Sequence, residues 1–550
     1  MRTQHLTRRE FLQVSALAAG GFVLASCSPA SGLSPSTPTA APPLSSATQA
    51  LVAGLKRGGT LRVHLLAEPK ILTPNYVFDA QIFSTTAPNI YNRLILYDGN
   101  WKIGPDLAQS WSASEDGKTF TFNLAKDVTW HDGVKFTSAD VKWTVESIQQ
   151  TKGAATASRV ANIASMSTPD DNTIIMQLKE VDSAFLANLA HIWSFVILPK
   201  HLFENTDPTT NRYYNAPVGT GPFKFTSWQQ GSSIAMETNK DYFKGAPFLD
   251  KVVTRLIPDW ASGLASFEAK ELDFITLDKT TEGARLKQNP HIRILPYPIP
   301  TLFHLGFNLA TKPFSSKPVR QAIAYAIDRD QVSQEAYQGW FPAANYAYLP
   351  SIPGAFNPNA KQVSFDPKKA EDLLDQAGYP RGADGVRMTV SLVAPTVQGL
   401  NDIATVVQAQ LKKIGVETKL DTMDFGAYTE KVLQRKDFQL TVAGGYQGPD
   451  PSEMEAYVGT GGFRNPMGYS NSKVDQLFKD ARAALTEDSR NRAYWDIQQI
   501  ILDDLPRLNL VEYAQIFLLW DNYDGLWMEP SAVKLKCAFQ EYRGVGLVIS

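Results

Sequence analysis

Cysteine is nearly absent from this chain. Only Cys27 and Cys537 occur in 550 residues, so a fold stapled by several disulfides is excluded. Histidine is also scarce. The seven that occur are scattered, with no His-Glu-x-x-His and no short Cys/His spacing, so a built-in zinc site has little support in the sequence. There is no basic excess either: 53 Lys and Arg face 55 Asp and Glu, for a formal net charge of −2, and a nucleic-acid partner has no electrostatic footing. No Gly-x-Ser-x-Gly is present. What remains is 43% apolar and 20% charged residues, an ordinary globular composition with room for two or three domains of about 100 to 200 residues each.

The N-terminus is the first stretch with a direction to it. Arg8-Arg9-Glu10-Phe11-Leu12 is followed by an uncharged run from Val14 to Leu24 and then by Ala25-Ser26-Cys27. The apolar run is shorter than the roughly 20 residues that span a bilayer. The arginine pair resembles the twin-arginine export signal, and Leu24-Ala25-Ser26-Cys27 resembles a lipobox, whose cysteine becomes the lipid-bearing first residue. Residues 1–26 are therefore expected to be removed, leaving a chain that begins at Cys27 outside the cytoplasm, tied to the membrane by lipid alone. Losing Arg2, Arg8, Arg9 and Glu10 takes the net charge from −2 to −4. Lipidation of Cys27 would leave Cys537 without a partner, and Cys537 reads as a small buried core residue. From Ser28 to Leu55 there is no charge, and prolines stand at 29, 35, 38, 42 and 43. Such a segment buries too little to offset its ordering entropy. Residues 27–57 are read as a disordered tether of about 30 Å r.m.s. span.

Beyond it the patterns turn regular. Thr60–Leu65 alternates at strand period through Leu61, Val63 and Leu65. Thr119–Leu124 does the same, and Asp116-Gly117 and Asp132-Gly133 supply hairpin turns. Thr137 with Asp140 has capping-box spacing, and Val141, Val145 and Ile148 share one face of the helix it would start. Thr173–Leu178 reads as a further strand. In the second half, Ser316 and Pro318 mark a helix start with Val319, Ile323 and Ile327 on one face. Asp366-Pro367 opens a helix with the stripe Ala370, Leu373, Leu374 and Ala377, stopping at Gly378. Ile403, Val406, Val407, Leu411 and Ile414 repeat the pattern up to Gly415, and Val416, Thr418 and Leu420 suggest a strand. Alternation of this kind favours a helix-covered sheet, with ligands beside strand ends or between domains.

Several separated blocks carry a family resemblance. Asp106-Leu-Ala-Gln-Ser-Trp111, Asp116-Gly-Lys-Thr-Phe-Thr-Phe122, Val128-Thr-Trp-His-Asp-Gly133 and Lys135-Phe-Thr-Ser-Ala-Asp-Val141 resemble, in this order, the peptide- and nickel-type solute-binding proteins of ABC importers. So do Val218–Phe225, Asn239–Gly245, Lys317–Asp328, Gly468–Asn471 with Val474-Asp475, and Asp503–Pro506. The resemblance implies an α/β fold, a two-lobed periplasmic-binding-protein clamp with an additional inserted domain in the first lobe. Its limits are drawn at 58–97 with 216–300 and 526–550 for lobe I, 98–215 for the inserted domain and 301–525 for lobe II. It implies a monomeric receptor that captures a short peptide or peptide-like solute between its lobes and delivers it to a membrane permease, with no cofactor and no metal. Oligosaccharide and chelated metal stand behind peptide as ligands.

Two stretches compete for the chemistry. Ser470 and Lys473 have the Ser-x-x-Lys spacing of penicillin-recognising enzymes, which keeps an extracytoplasmic serine hydrolase as the alternative. No Lys-Thr-Gly accompanies them, and Ser472-Lys-Val-Asp475 reads better as a helix cap. Gly219-Thr-Gly221 runs into Pro222 and a strand pattern rather than a helix, so a phosphate loop is not expected, and His131 is ascribed to a hairpin. The other stretch is Phe438–Ala443, read as a strand that leads into Gly444-Gly-Tyr-Gln-Gly-Pro-Asp-Pro451. There Gly445 permits close approach, and Tyr446, Gln447 and Asp450 offer a ring, an amide and a charge. The place resembles the family's ligand-contacting strand end. Peptide-binding relatives carry an acid a few residues before the acidic-Pro pair, to meet the peptide's ammonium, and that acid is missing here.

Overall fold

Two long antiparallel strands, Ile292–Phe307 and Arg507–Trp520, run through the middle of the molecule and belong to both of its lobes. The computed structural model describes residues 55–99, 101–207, 210–350, 352, 354–360, 363–526, 541–543 and 545–548. Arg8, Arg9, Cys27, nearly all of the tether and Cys537 lie outside them.

The two strands sit at the centre of a ten-stranded sheet. On one side follow Phe274–Leu277, Thr60–Leu65, Lys251–Leu256, Ser233–Thr238 and Phe223–Gln229. On the other come Leu440–Tyr446, Met388–Pro395 and Val416–Met423. Ile292–Pro298 pairs with Ala514–Trp520, Thr301–Phe307 pairs with Leu440–Tyr446, and Thr301–Gly306 pairs with Arg507–Tyr513. The register shifts between Pro298 and Thr301. Pro296, Pro298 and Pro300 give a chemical reason, since proline has no N–H to donate to a ladder and is tolerated at such irregularities. The lobes therefore meet where the sheet is least able to continue unbent.

The first lobe follows its alternation closely. Leu61, Val63 and Leu65 are buried in a strand with the bounds Thr60–Leu65. Arg62 is clamped to Asp273 through Nε and Nη2, at 2.8 and 2.7 Å. Residues 98–215 contribute a separate four-stranded antiparallel sheet in the order Ala108–Ala113, Thr119–Leu124, Thr173–Leu178, Ile163–Asp170. The helix Ser138–Gln150 has the capping box at Thr137 and Asp140, and it buries Val141, Val145 and Ile148 in one core with Phe120, Phe122 and Met176. Each such side chain contributes about 1.5 to 3 kcal/mol over leaving it in water. Gly219 and Gly221 lie against the Ile90 backbone: a Cβ at Gly219 would lie 1.8 Å from the Ile90 carbonyl oxygen and one at Gly221 2.5 Å from the Ile90 carbonyl carbon, so both positions need glycine for the two backbones to touch.

The second lobe is α/β. Met388–Pro395 and Val416–Met423 pair in parallel, joined by the helix Leu400–Lys413 that buries Ile403, Val406, Val407 and Leu411. The helix Lys317–Ala326 starts at Ser316 as read. Ile327 is its extended C-terminal cap rather than part of its face, because Asp328 already caps the next helix, Arg329–Tyr337. Asp366 caps Pro367–Gln376 through the Lys369 N–H. Two further helices, Ser472–Ala483 and Glu487–Asp504, share a core with Leu302, Tyr348 and Tyr457. The cap of the first is Asn471, whose Oδ1 accepts from Lys473 and Val474 N–H; Ser472, expected to cap, is the first helical residue. An Asx side chain one position earlier reaches the same orphan donors.

Candidate ligand site at the seam between the lobes

The strand Leu440–Tyr446 extends through Gly444 and Gly445, further than its apolar residues indicated. The two glycines are needed for packing inside the sheet. A Cβ at Gly444 would fall 2.1 Å from the Phe303 ring, and one at Gly445 would fall 2.2 Å from the Tyr457 hydroxyl. Strand alternation then sends Tyr446 to the opposite face from Gly445 and Gln447.

Tyr446 is the residue that crosses to another part of the chain. Its ring centroid lies 4.9 Å from Trp193, 5.5 Å from His191 and 6.3 Å from Trp101, all within 98–215. Trp101 packs on towards Tyr297 and Tyr97, and it holds φ +57°, a costly conformation for a side chain of that size. The Tyr446 hydroxyl is buried without a hydrogen-bond partner among the described residues. Desolvation, with Tyr97 and Glu453 nearby, raises its pKa well above the ordinary tyrosine value, so it stays a neutral donor.

Gln447 serves the second lobe itself. Its Nε2 donates to Gly445 O at 2.9 Å and its Oε1 accepts from Arg507 Nη2 at 3.0 Å, fully buried. Asp450 is likewise engaged. Its Oδ1 accepts the Ser452 N–H at 3.0 Å, and Arg490 Nη2 lies 2.6 and 2.9 Å from its two oxygens. Desolvation works against the Arg490 charge, but Asp450 outweighs it and holds that pKa above the usual arginine value. Of the four residues singled out in the sequence, then, Tyr446 faces the seam, Gly445 and Gln447 face inward, and Asp450 already has a cation.

Further contacts close the seam. Arg159 Nη1 donates to Glu453 Oε1 and to Asn188 Oδ1, each at 2.9 Å. Ser183 accepts from Arg490 Nε at 2.9 Å and donates to the Ala481 carbonyl at 2.8 Å. His191 is buried, its Nδ1 accepting the Trp193 N–H at 3.0 Å. Burial first, and then the charges of Arg159, Arg93 and Arg464, push its pKa well below 6.5. Sequence reading missed Trp101, Arg159, His191, Trp193, Glu453 and Arg464, which lie up to several hundred residues from one another and share no spacing.

The alternative chemistry has weaker geometry. Ser470 is exposed, with its hydroxyl accepting from Thr460 Oγ1 at 2.9 Å, and Lys473 is exposed one turn on. Among the described residues no group of three or more His, Cys, Asp or Glu gathers to hold a metal, and no helix is long and apolar enough to cross a membrane.

Comparison with known proteins gives one consistent answer. Residues 102–465 match the family described as bacterial extracellular solute-binding proteins, family 5 Middle. The oligopeptide-binding protein AppA of Bacillus subtilis is 29% identical over 497 residues, covering 86% of this chain and 90% of that protein. Its structure in complex with a nonapeptide superposes with a TM-score of 0.74 at 26% identity, covering 90% of this chain and 100% of that one. The ABC transporter substrate-binding protein CtaP of Listeria monocytogenes gives a TM-score of 0.81 at 26% identity, with the same coverage.

Proposed function

The chain belongs to the bacterial extracellular solute-binding proteins of family 5, and from that premise we propose that it is the receptor of an ABC importer for a short peptide or peptide-like solute. It captures the ligand between its two lobes and hands it to a permease in the membrane. The observation that carries this reading is the seam itself. Tyr446 from one lobe packs on His191, Trp193 and Trp101 from the inserted domain of the other, beside the ion pair of Arg159 with Glu453. A ligand seated there touches both lobes only when they are closed, and a ligand shifts an open-closed equilibrium only through such differential contacts. The names of the relatives, oligopeptide-binding protein among them, support peptide as the ligand class.

The reading includes finer parts. Cys27 is the lipid-bearing residue after export through the Arg8-Arg9 signal, the stretch to residue 57 is the tether, and the receptor works as a monomer. The lobes divide as 58–97, 216–300 and 526–550 against 301–525, with 98–215 inserted. At this strand end, Tyr446 is the ligand-contacting member, while Gly445, Gln447 and Asp450 shape and hold it. Calorimetric titration with a library of two- to nine-residue peptides tests the ligand class. One bound peptide per chain, recovered uncleaved, is the expected result, and a cleaved peptide would return the hydrolase with Ser470 and Lys473.

A further inference from the structure

Among the described residues, three buried hydrogen-bond donors at the seam have no acceptor. His191 accepts the Trp193 N–H at Nδ1, so its neutral ring carries the proton on Nε2. That Nε2 has no hydrogen-bond partner, and it comes no nearer than 3.5 Å to Glu453 Oε1, an oxygen that Arg159 already holds at 2.9 Å. The Tyr446 hydroxyl, on a ring 5.5 Å from the His191 ring, is unpartnered too. So is Arg93 Nε, whose guanidinium reaches the neighbour of His191 by donating through Nη2 to Ile192 O at 2.8 Å. All three residues are more than nine-tenths buried. Buried donors in native proteins are nearly always satisfied, and each one left alone costs about 1 to 3 kcal/mol.

The charges around them have one sign in excess. Arg464 donates through Nη1 to the Tyr446 carbonyl and the Tyr457 hydroxyl, at 3.2 and 2.7 Å, both neutral acceptors, and lies 5.9 Å from the Trp193 ring centroid. Among the described residues neither Arg93 nor Arg464 makes an ion pair. Asp106, which accepts the Arg93 backbone N–H at 2.7 Å, is held by Lys244 at 2.5 Å. Glu453 is taken by Arg159, and Asp450 by Arg490. Asp106, Glu453 and Asp450 are thus each matched to a cation and Asp182 accepts the Ala184 N–H, while the Arg93 and Arg464 guanidinium groups and two neutral donors remain.

We propose that the ligand is anchored here by an ionised carboxylate, received by His191 Nε2–H and the Tyr446 hydroxyl beside the Arg464 guanidinium, and that no cationic group of the ligand is needed. The planar fork of an arginine matches a carboxylate, and the bond counts for more away from water. This anchor rests on the reading of the seam as the ligand site. It makes the receptor one for acidic solutes, among which peptides qualify through their C-terminus.

Paired probes test it: trialanine and trialanine amide, N-acetyl-trialanine and its amide, and gluconate and gluconamide, titrated calorimetrically into the wild-type protein, Arg464→Gln and Arg464→Lys. In at least one pair the acid is expected to bind tenfold or more tighter than its neutral partner. The ratio should fall towards one in Arg464→Gln and recover in part in Arg464→Lys, with melting temperatures confirming that both variants fold. N-acetylation should cost little. An amide that binds as tightly as its acid overturns the anchor, and so does a panel in which no acid binds or a tight binder that depends on its free amine. A response confined to gluconate would sink the peptide reading and leave the anchor standing.

Discussion

The Asp450 carboxylate and the Arg490 guanidinium form a two-oxygen contact at 2.6 and 2.9 Å, and the same guanidinium reaches across the seam to Ser183 Oγ at 2.9 Å. Both side chains of the pair are 15% exposed. An acid in that position is a structural partner first. Its charge ties the loop that follows Tyr446 to the helix Glu487–Asp504, and through Ser183 to residues 98–215.

Removing that charge should therefore act on stability more than on ligand choice. Asp450→Asn leaves Arg490 buried without its counter-ion, and a loss of about 3 kcal/mol in unfolding free energy is expected. Denaturant unfolding of Asp450→Asn, Arg490→Gln and the double variant should show a double loss well short of the two single losses added together. Additive losses would mean that the pair is not coupled in solution. Ligands with and without an amine should be affected alike.

Tyr446 separates ring from hydroxyl. Tyr446→Phe keeps the contacts to Trp193, His191 and Trp101 and removes only an unpartnered oxygen, so melting should stay level or rise slightly, while affinity for a carboxylate probe drops about tenfold. Tyr446→Ala removes the ring as well and should cost about 3 kcal/mol or more in stability. Equal effects of the two substitutions on binding would assign the contribution wholly to the hydroxyl.

Acid should loosen the fold. His64, His131, His191 and His304 all have pKa values below 6.5 chiefly through burial, His131 at about 4. In the unfolded chain each would take a proton near pH 6.5. The unfolded state therefore binds more protons below that pH, and stability present above 6.5 is lost as pH falls. For His131 the window runs from 6.5 to about 4, and its share is about 3 kcal/mol. The loss has a structural cause, since Nδ1 accepts the Gly219 N–H and a protonated ring cannot. Melting curves from pH 7.5 to 4.5 should decline steadily, with a shallower decline for His131→Gln. A flat profile would contradict the buried neutral histidines.

How much of this could be read in the chain depends on whether local physics decided it. Thr60–Leu65, Thr119–Leu124, Thr173–Leu178 and the helix opened by Thr137 and Asp140 came out with the bounds their patterns imply, because alternation, capping and burial agree there. Gly444 and Gly445 misled. They looked like a loop, and only the Phe303 and Tyr457 rings, placed by distant parts of the chain, explain why a strand needs them. Of the site, Tyr446 was legible as a ring at a strand end. That Asp450 would meet Arg490 was not, since forty residues separate them and nothing in either neighbourhood points to the other. His191 and Arg464 sit in stretches with no motif at all, and only the closed seam gives them a common purpose.

The N-terminal proposal has its own test. Cys27→Ala should leave the chain unlipidated and, once its precursor is fully processed, recovered in the soluble fraction, because residues 28–55 carry neither charge nor enough apolar surface to hold a membrane. Deleting Ser28 to Ala53 should leave the affinity for a bound peptide within about twofold of wild type. A large loss would mean that the segment folds onto the body.

Capture between the lobes is best tested by measuring their separation during binding. Labels placed on residues 152 and 479, both exposed, one in the proposed inserted domain and the other in the proposed second lobe, report that distance by resonance energy transfer while peptide is titrated in. The ligand-free protein should sample a longer distance that shortens with peptide at one-to-one stoichiometry. Glu453→Gln, which takes the carboxylate from Arg159, should require about tenfold more peptide to reach the closed value. Peptide binding with no change in the distance, in wild type and Glu453→Gln alike, would contradict capture by closure.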